Sequence, residues 1–247
     1  LFTIDRVDKS YPEGGLFASK RKQVLSGISF DWRPGECLGI IGESGSGKST
    51  LGRLLLGIEK PDRGSLLWEG RRIEERTTRL GSISAVFQDY SSSINPFYTV
   101  EQALMEPLKL HNEPRRGLHD KIDRLLRQVG LDPSYRSKYS HELSGGEAQR
   151  VCIARAVSTE PRCILLDEAI SSLDGSVQVQ ILDLLIRLRT LYRMGYIFIT
   201  HDIQAAAYIC DRVMIMRAGR IEEIVPVERL KDVESPYARK LLSMIIA

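Results

Sequence analysis

With 247 residues, 43% of them hydrophobic and 27% charged, the chain has the composition of an ordinary soluble protein. It is long enough to bury roughly three quarters of its unfolded surface, so no disulfide or metal staple is required. The 35 basic and 32 acidic side chains leave a net charge of +3, which excludes the one-sided basic excess of a nucleic-acid binder. No stretch approaches the ~18–20 apolar residues of a membrane span, and no secretory leader is legible. The four cysteines, Cys37, Cys152, Cys163 and Cys210, form no C-x-x-C unit and read as buried, reduced thiols.

Phe2 to Val7 and Val24 to Trp32 read as strands, joined by an exposed Gly- and Lys-rich stretch, Pro12 to Lys22. Tyr11, at the edge of that stretch, is a candidate to stack on an adenine face. The apolar run Cys37 to Ile41 reads as a strand buried on both faces, and a helical run, Leu51 to Leu56, follows. Between them stands Gly42-Glu43-Ser44-Gly45-Ser46-Gly47-Lys48-Ser49-Thr50, the pattern G-x-x-x-x-G-K-S. A strand–loop–helix context is what this motif needs in order to cradle phosphates. Its glycines permit a tight turn with amide N–H groups aimed inward, and the helix behind it adds a positive end. Lys48 suits the β- and γ-phosphates of a nucleoside triphosphate, and the Ser49 hydroxyl suits Mg²⁺.

Ser65 to Trp68 and Ile83 to Phe87 are further short strands, and Gln88 after the second is a neutral group able to touch Mg²⁺ or water. From about Asp89 to Tyr139 helical spacing takes over, in Val100 to Leu108 and in Leu118 to Val129. The latter sets Ile122, Leu125, Leu126 and Val129 on one face, and Pro96, Pro107, Pro114 and Pro133 punctuate the region. This is a mostly helical insertion. Leu143-Ser144-Gly145-Gly146-Glu147 then precedes the helical run Ala148 to Val157. Ser144 fits an N-cap, and the helix presents free N–H groups to an anion. A chain that already has one phosphate-binding helix end gains a second, which points to a site shared by two chains.

Cys163 to Leu166 is a strand ending in Asp167-Glu168, where α/β sheets place their ligands. Asp167 suits Mg²⁺, and Glu168 suits the task of orienting and deprotonating a water. Val177 to Tyr192 is a long amphipathic helix, and the strand Tyr196 to Thr200 ends at His201. That position lets His201 bond a γ-phosphate; His111, His119 and His141 have no comparable placement. Val213 to Met216 is another strand and Ser235 to Ala247 a short helix. Strands alternating with helices predict an α/β sheet with crossover helices.

These motifs, in this order, resemble the ATP-binding subunits of ABC transporters over nearly the whole chain. In the terms of that family, Gly42 to Ser49 is the Walker A loop, Gln88 the centre of the Q-loop and Leu143 to Glu147 the signature. Glu147 stands where many relatives have Gln. Ile164 to Asp167 is Walker B with Glu168 as catalytic acid, Ser172-Leu173-Asp174 the D-loop and His201 the switch histidine. The resemblance implies one ABC ATPase domain over residues 1–247. A RecA-like core sheet and an antiparallel β subdomain would occupy 1–88 and 160–247, and a helical subdomain carrying the signature 89–159.

Gln88-Asp89 followed by Ser92-Ser93-Ile94-Asn95-Pro96, and the ending Ser235-Pro236-Tyr237-Ala238-Arg239-Lys240-Leu241-Leu242, are similar to the dipeptide, oligopeptide and nickel import branch. Asp167-Glu168-Ala169-Ile170-Ser171-Ser172-Leu173-Asp174 is closer to the nickel-import ATPase of the E type than to the Asp-Glu-Pro-Thr-Ser-Ala-Leu-Asp of peptide importers. The resemblance thus implies an ATP hydrolase, using ATP and Mg²⁺, that drives nickel or nickel-chelate uptake, with a peptide importer as the alternative. It implies a second ATP-binding subunit in a heterodimer, two transmembrane permeases and an external solute-binding protein, with this chain peripheral on the cytoplasmic face of a bacterial membrane. ATP on Gly42–Thr50 would be covered by the partner's signature, while Ser144, Gly145, Gly146 and Glu147 here would cover the partner's ATP. A soluble ABC ATPase acting on nucleic acid or ribosomes is the remaining rival, disfavoured by a single cassette and an even charge.

Overall fold

The computed structural model describes residues 1–13, 20–89, 93–111, 114 and 116–243. The middle of the expected 12–22 loop, Ser92, Arg115 and the end of the expected C-terminal helix lie outside them. The first elements are β1 (Phe2–Pro12), β2 (Arg21–Trp32), β3 (Cys37–Ile41), α1 (Lys48–Leu55), β4 (Arg63–Trp68), β5 (Arg71–Arg72) and α2 (Arg76–Arg79). There follow β6 (Ile83–Phe87), α3 (Val100–Leu110), α4 (Leu118–Gln128), α5 (Gly145–Val157), β7 (Cys163–Asp167) and α6 (Gly175–Tyr192). The last are β8 (Gly195–Ile199), α7 (Ile203–Ile209), β9 (Arg212–Arg217), β10 (Arg220–Pro226) and α8 (Pro236–Ser243). Contacts divide the chain into two compact units, Leu1–Arg79 with Gly195–Ala247, and Leu80–Met194.

In the first unit, β2-β1-β4-β5 form an antiparallel sheet. β1 runs five residues beyond its expected end at Val7. Register shifts between Ile4 and Val7, Val7 and Lys9, and Lys9 and Ser10 break the two-residue alternation that marks a strand in sequence. Phe2, Trp32 and Trp68 form the aromatic centre of this sheet, with Trp32 and Trp68 stacked at 5.6 Å. A second group of strands is built on β3, which pairs in parallel with β8 and with β9, while β10 pairs antiparallel with β9. Every residue of β3 and of β8 is buried. Each large side chain there, such as Leu38, Ile40 or Phe198, contributes about 1.5–3 kcal/mol. Trp32 joins the two sheets, its Nε1–H shared between the carbonyls of Glu36 and Tyr196 at 3.1 Å each. β10 is a strand the sequence hides, because Glu222 and Glu223 interrupt its apolar residues.

In the second unit β6 and β7 pair in parallel, Ile83 beside Cys163 through to Phe87 beside Asp167. α3, α4 and α5 pack on one another and α5 on β6. The four residues expected on one face of α4, Ile122, Leu125, Leu126 and Val129, are all buried. α3 opens with a capping box in which Thr99 Oγ1 accepts from the Gln102 N–H, and Gln102 Oε1 from the Thr99 N–H. All four cysteines are buried thiols.

Candidate active site

The first unit carries the glycine-rich loop at the C-terminal end of β3. Gly42 lies at φ 155°, and a Cβ there would sit 2.2 Å from the Met216 carbonyl. Gly47 caps α1 at φ 103°, where a Cβ would meet Leu25 at 2.7 Å. Only glycine fits either place. Glu43, Ser44 and Gly45 are exposed, whereas Ser46, Gly47 and Lys48 are buried. The Lys48 ammonium donates to the carbonyls of Gly42 and Glu43 at 2.7 and 3.0 Å, which fixes a buried cation against the loop. Ser46 Oγ is buried with no hydrogen-bond partner among the described residues. An orphaned hydroxyl and a cation within a loop of small residues are the donor set that a polyphosphate requires. Ser49, exposed, is the second residue of α1, and Thr50, buried, the third.

Two side chains from distant sequence support this loop. Tyr237 of α8 accepts the Glu43 N–H at 3.4 Å and stacks beneath Arg217 at 4.7 Å. It lies in the Ser-Pro-Tyr run read above only as a branch marker. Arg53 reaches Thr50 Oγ1 at 3.2 Å, the Tyr11 hydroxyl at 3.2 Å and Glu59 at 2.6 Å. Tyr11 in turn donates to Glu59 at 2.5 Å, and Lys9 lies 5.3 Å from its ring centre. Burial pushes the Glu59 carboxyl up, but the bonds from Tyr11 and Arg53 outweigh it and hold the group below its ordinary value. Tyr11 is thereby tied to the phosphate loop through a charged network that sequence spacing does not reveal. His201, exposed, follows β8, whose Ile199 lies beside Ile40 of β3. The parallel register therefore brings His201 and the loop to the same end of this sheet. Asp202 Oδ1 caps α7 immediately after, accepting from Gln204 and Ala205.

The second unit carries the remaining candidates. Phe87 and Asp167 are register partners, so Gln88 and Glu168 leave the same end of neighbouring strands. Asp167 and Glu168 are half-buried and Gln88 exposed. Glu168 has φ 52°, a left-handed conformation that costs a non-glycine residue about 1–3 kcal/mol and collects at functional sites. Ser144 caps α5 with φ −66° and ψ 162°, and Gly145 and Gly146 form the first turn. Glu147 completes a capping box, one oxygen accepting the Ser144 N–H at 2.8 Å and the other accepting the Tyr135 hydroxyl. The Tyr135 bond, then the Ser144 backbone and side chain, hold the Glu147 carboxyl down to about 2. Both of its oxygens are thus taken up inside the cap. The same unit holds a cavity of about 420 Å³ lined by Phe87, Ser93, Pro107, Cys152, Arg155 and neighbouring residues. Arg155 pairs there with Glu106 at 2.5 Å, and its Nε is buried without a partner among the described residues. Burial pushes the Cys152 thiol up to about 12, so it is inert.

Comparison with known proteins agrees with this anatomy. The family described as ABC transporter matches residues 25–171. The metal-staphylopine import system ATP-binding protein CntF of Staphylococcus aureus (strain NCTC 8325 / PS 47) is 48% identical over 98% of this chain and 98% of its own length. The nickel import ATP-binding protein NikE of Rhodospirillum rubrum is 42% identical over 100% of this chain and 91% of its own. The oligopeptide transport ATP-binding protein AppF of Bacillus subtilis is 39% identical over 99% and 78%. Among solved structures, the dimeric ATP-binding cassette MJ0796 bound to ADP and Pi superposes with a TM-score of 0.81 at 25% identity, covering 92% of this chain and 99% of that one. The chain belongs to the ABC transporter family, as an importer-type ATP-binding cassette that couples ATP hydrolysis to transport.

Proposed function

We propose that the chain powers a bacterial importer for nickel or a metal chelate. The observation that carries this reading is likeness over almost the full length to a metal-staphylopine import protein and a nickel import protein, at 48% and 42% identity. The 39% identity with the oligopeptide transport protein favours a peptide importer as the second reading.

In the proposed mechanism the phosphates of ATP lie on the N–H groups of Gly42–Thr50 and on Lys48, with Tyr11 against the adenine. Ser49, Gln88 and Asp167 would hold Mg²⁺, which offsets phosphate charge when bound. Glu168 takes the proton of the attacking water, and His201 donates to the γ-phosphate. Ser144, Gly145 and Gly146 offer their helix end to the nucleotide of a second, non-identical ATP-binding subunit. Glu147 serves that helix end from behind, since its oxygens are engaged by Tyr135 and Ser144. Two permease subunits dock on the second unit near Gln88 and the helical insertion, beside the cavity lined by Phe87 and Arg155. A solute-binding protein delivers cargo from outside, and the chain lies peripherally on the cytoplasmic face; no helix among the described residues is long and apolar enough to cross a membrane.

Uptake by cells carrying either the wild-type chain or Lys48→Ala tests the cargo. Labelled nickel, free and chelated, should fall to background in the variant while labelled dipeptide uptake is unchanged. Loss of dipeptide uptake alone would move the chain to the second reading.

A further inference from the structure

The seven residues from Glu168 to Asp174 join β7 to α6, and carry both the strained Glu168 and the expected D-loop. Their path is held by a small set of hydrogen bonds. The Glu168 carbonyl accepts twice from one residue, from the Ser171 N–H at 3.2 Å and the Ser171 hydroxyl at 2.9 Å. The Ile170 carbonyl accepts from the Leu173 N–H at 3.2 Å. Gln178, in the second turn of α6, then spans the loop from one side. Its Nε2 donates to the Ile170 carbonyl at 3.1 Å and to the Leu173 carbonyl at 2.9 Å. An amide nitrogen has two hydrogens, and both are used. The Gln178 backbone N–H meanwhile donates to the Asp174 carbonyl at 2.9 Å, an i→i−4 bond of the first turn of α6. Asp174 itself makes no side-chain cap for α6, so the side-chain tie between this loop and α6 runs through Gln178.

We infer that Gln178, with Ser171, is a positioning residue for hydrolysis: it holds the 168–174 loop in the one path that keeps Glu168 at positive φ. The inference rests on the assignment of Glu168 as the base proposed above. Gln178 acts through its bonds to backbone carbonyls and takes no part in the chemistry. A residue in a left-handed conformation persists only where its surroundings over-determine it. Here those surroundings include the two donors of Ser171 on the Glu168 carbonyl and the bidentate amide on the carbonyls two and five residues further on. The chemistry demands a neutral double donor. Leucine supplies no donor, and an ionised carboxylate would face two carbonyl oxygens.

The test measures ATP turnover of the purified cassette, with its partner subunit, for Gln178→Leu, Gln178→Glu and Ser171→Ala. Since displacing a reacting group by 1 Å costs about a hundredfold, Gln178→Leu should lower kcat about 10- to 100-fold with KM for ATP changed less than about twofold. In Gln178→Glu the defect relative to wild type should be largest at pH 8 and relieved toward pH 6, as the new carboxyl regains a proton to donate. Ser171→Ala should lower kcat in the same sense. Wild-type kcat in both Gln178 variants overturns the inference. So does a Gln178→Glu defect that is the same at pH 6 and 8 and follows the fraction unfolded. Should Gln178→Leu fail to fold, the pH series on Gln178→Glu decides alone. Glu168→Gln is the control: if it turns over ATP normally, the assignment of Glu168 fails; if it is inactive while the Gln178 variants are normal, only the present inference fails.

Discussion

Tyr135→Phe probes the signature helix without touching its glycines. The Tyr135 hydroxyl is the foremost of the groups that hold the Glu147 carboxyl at about 2 instead of its ordinary 4.5. At 1.36 kcal/mol per pKa unit the whole displacement corresponds to about 3.4 kcal/mol. That figure is shared with Ser144 and screened by solvent at a partly exposed site, which leaves about 1 kcal/mol for the tyrosine hydroxyl. In a chain of this length such a loss lowers the unfolding midpoint by about 2–4 °C. The folded pKa lies below the ordinary value, so the stabilisation is complete above pH 4.5 and is lost as the pH falls through about 2. Unfolding of wild type and Tyr135→Phe, followed by circular dichroism at a series of pH values, should therefore show a constant deficit from pH 8 to about 5 that shrinks on further acidification. Equal midpoints at neutral pH, or a deficit that widens in acid, would refute the reasoning.

Other perturbations bear on different parts of the fold. Gly195→Ala puts a Cβ 2.5 Å from both the Glu36 carbonyl and the Trp32 ring; overpacking of this kind should cost about 1–3 kcal/mol, read from urea midpoints. Lys48→Ala removes the buried ammonium held by Gly42 and Glu43, and the loss of one or more charge-assisted bonds of about 1.5–3 kcal/mol each should weaken ATP binding at least tenfold in a fluorescent-nucleotide titration. Tyr237→Phe leaves the ring under Arg217 but removes the acceptor for the Glu43 N–H. A long bond to an exposed loop is worth about 0.5–1 kcal/mol, so a two- to fivefold rise in the Kd for ATP is expected with the unfolding midpoint nearly unmoved.

What the sequence makes legible here is what local chemistry decides. β3, the glycine-rich loop and α1 follow one another within about twenty residues, and each part has a composition that leaves little choice. α5 announces itself through Ser144, whose expected cap forms; that Glu147 closes it into a capping box emerges only from the structure. The full length of β1 was not legible, because its bulges erase the alternation by which a strand is read. Nor was β10, an edge strand whose glutamates mask it. Contacts formed late in the chain's path were hidden altogether. Nothing near Tyr237 says that it will meet Glu43, and nothing near Tyr11 says that Arg53 and Glu59 will hold it. The left-handed backbone of Glu168 is likewise a property of the folded loop, since glutamate has no intrinsic taste for that conformation.

The central claim is that this cassette binds ATP and that Glu168 drives its hydrolysis. Turnover and nucleotide retention, measured side by side on wild type and Glu168→Gln with the partner subunit present, test it most directly. The account predicts a fall in turnover of about 10²–10⁴-fold, the range for loss of a general base, while the variant keeps ATP and Mg²⁺ in a stable pair of subunits. Turnover at the wild-type rate in Glu168→Gln would contradict it.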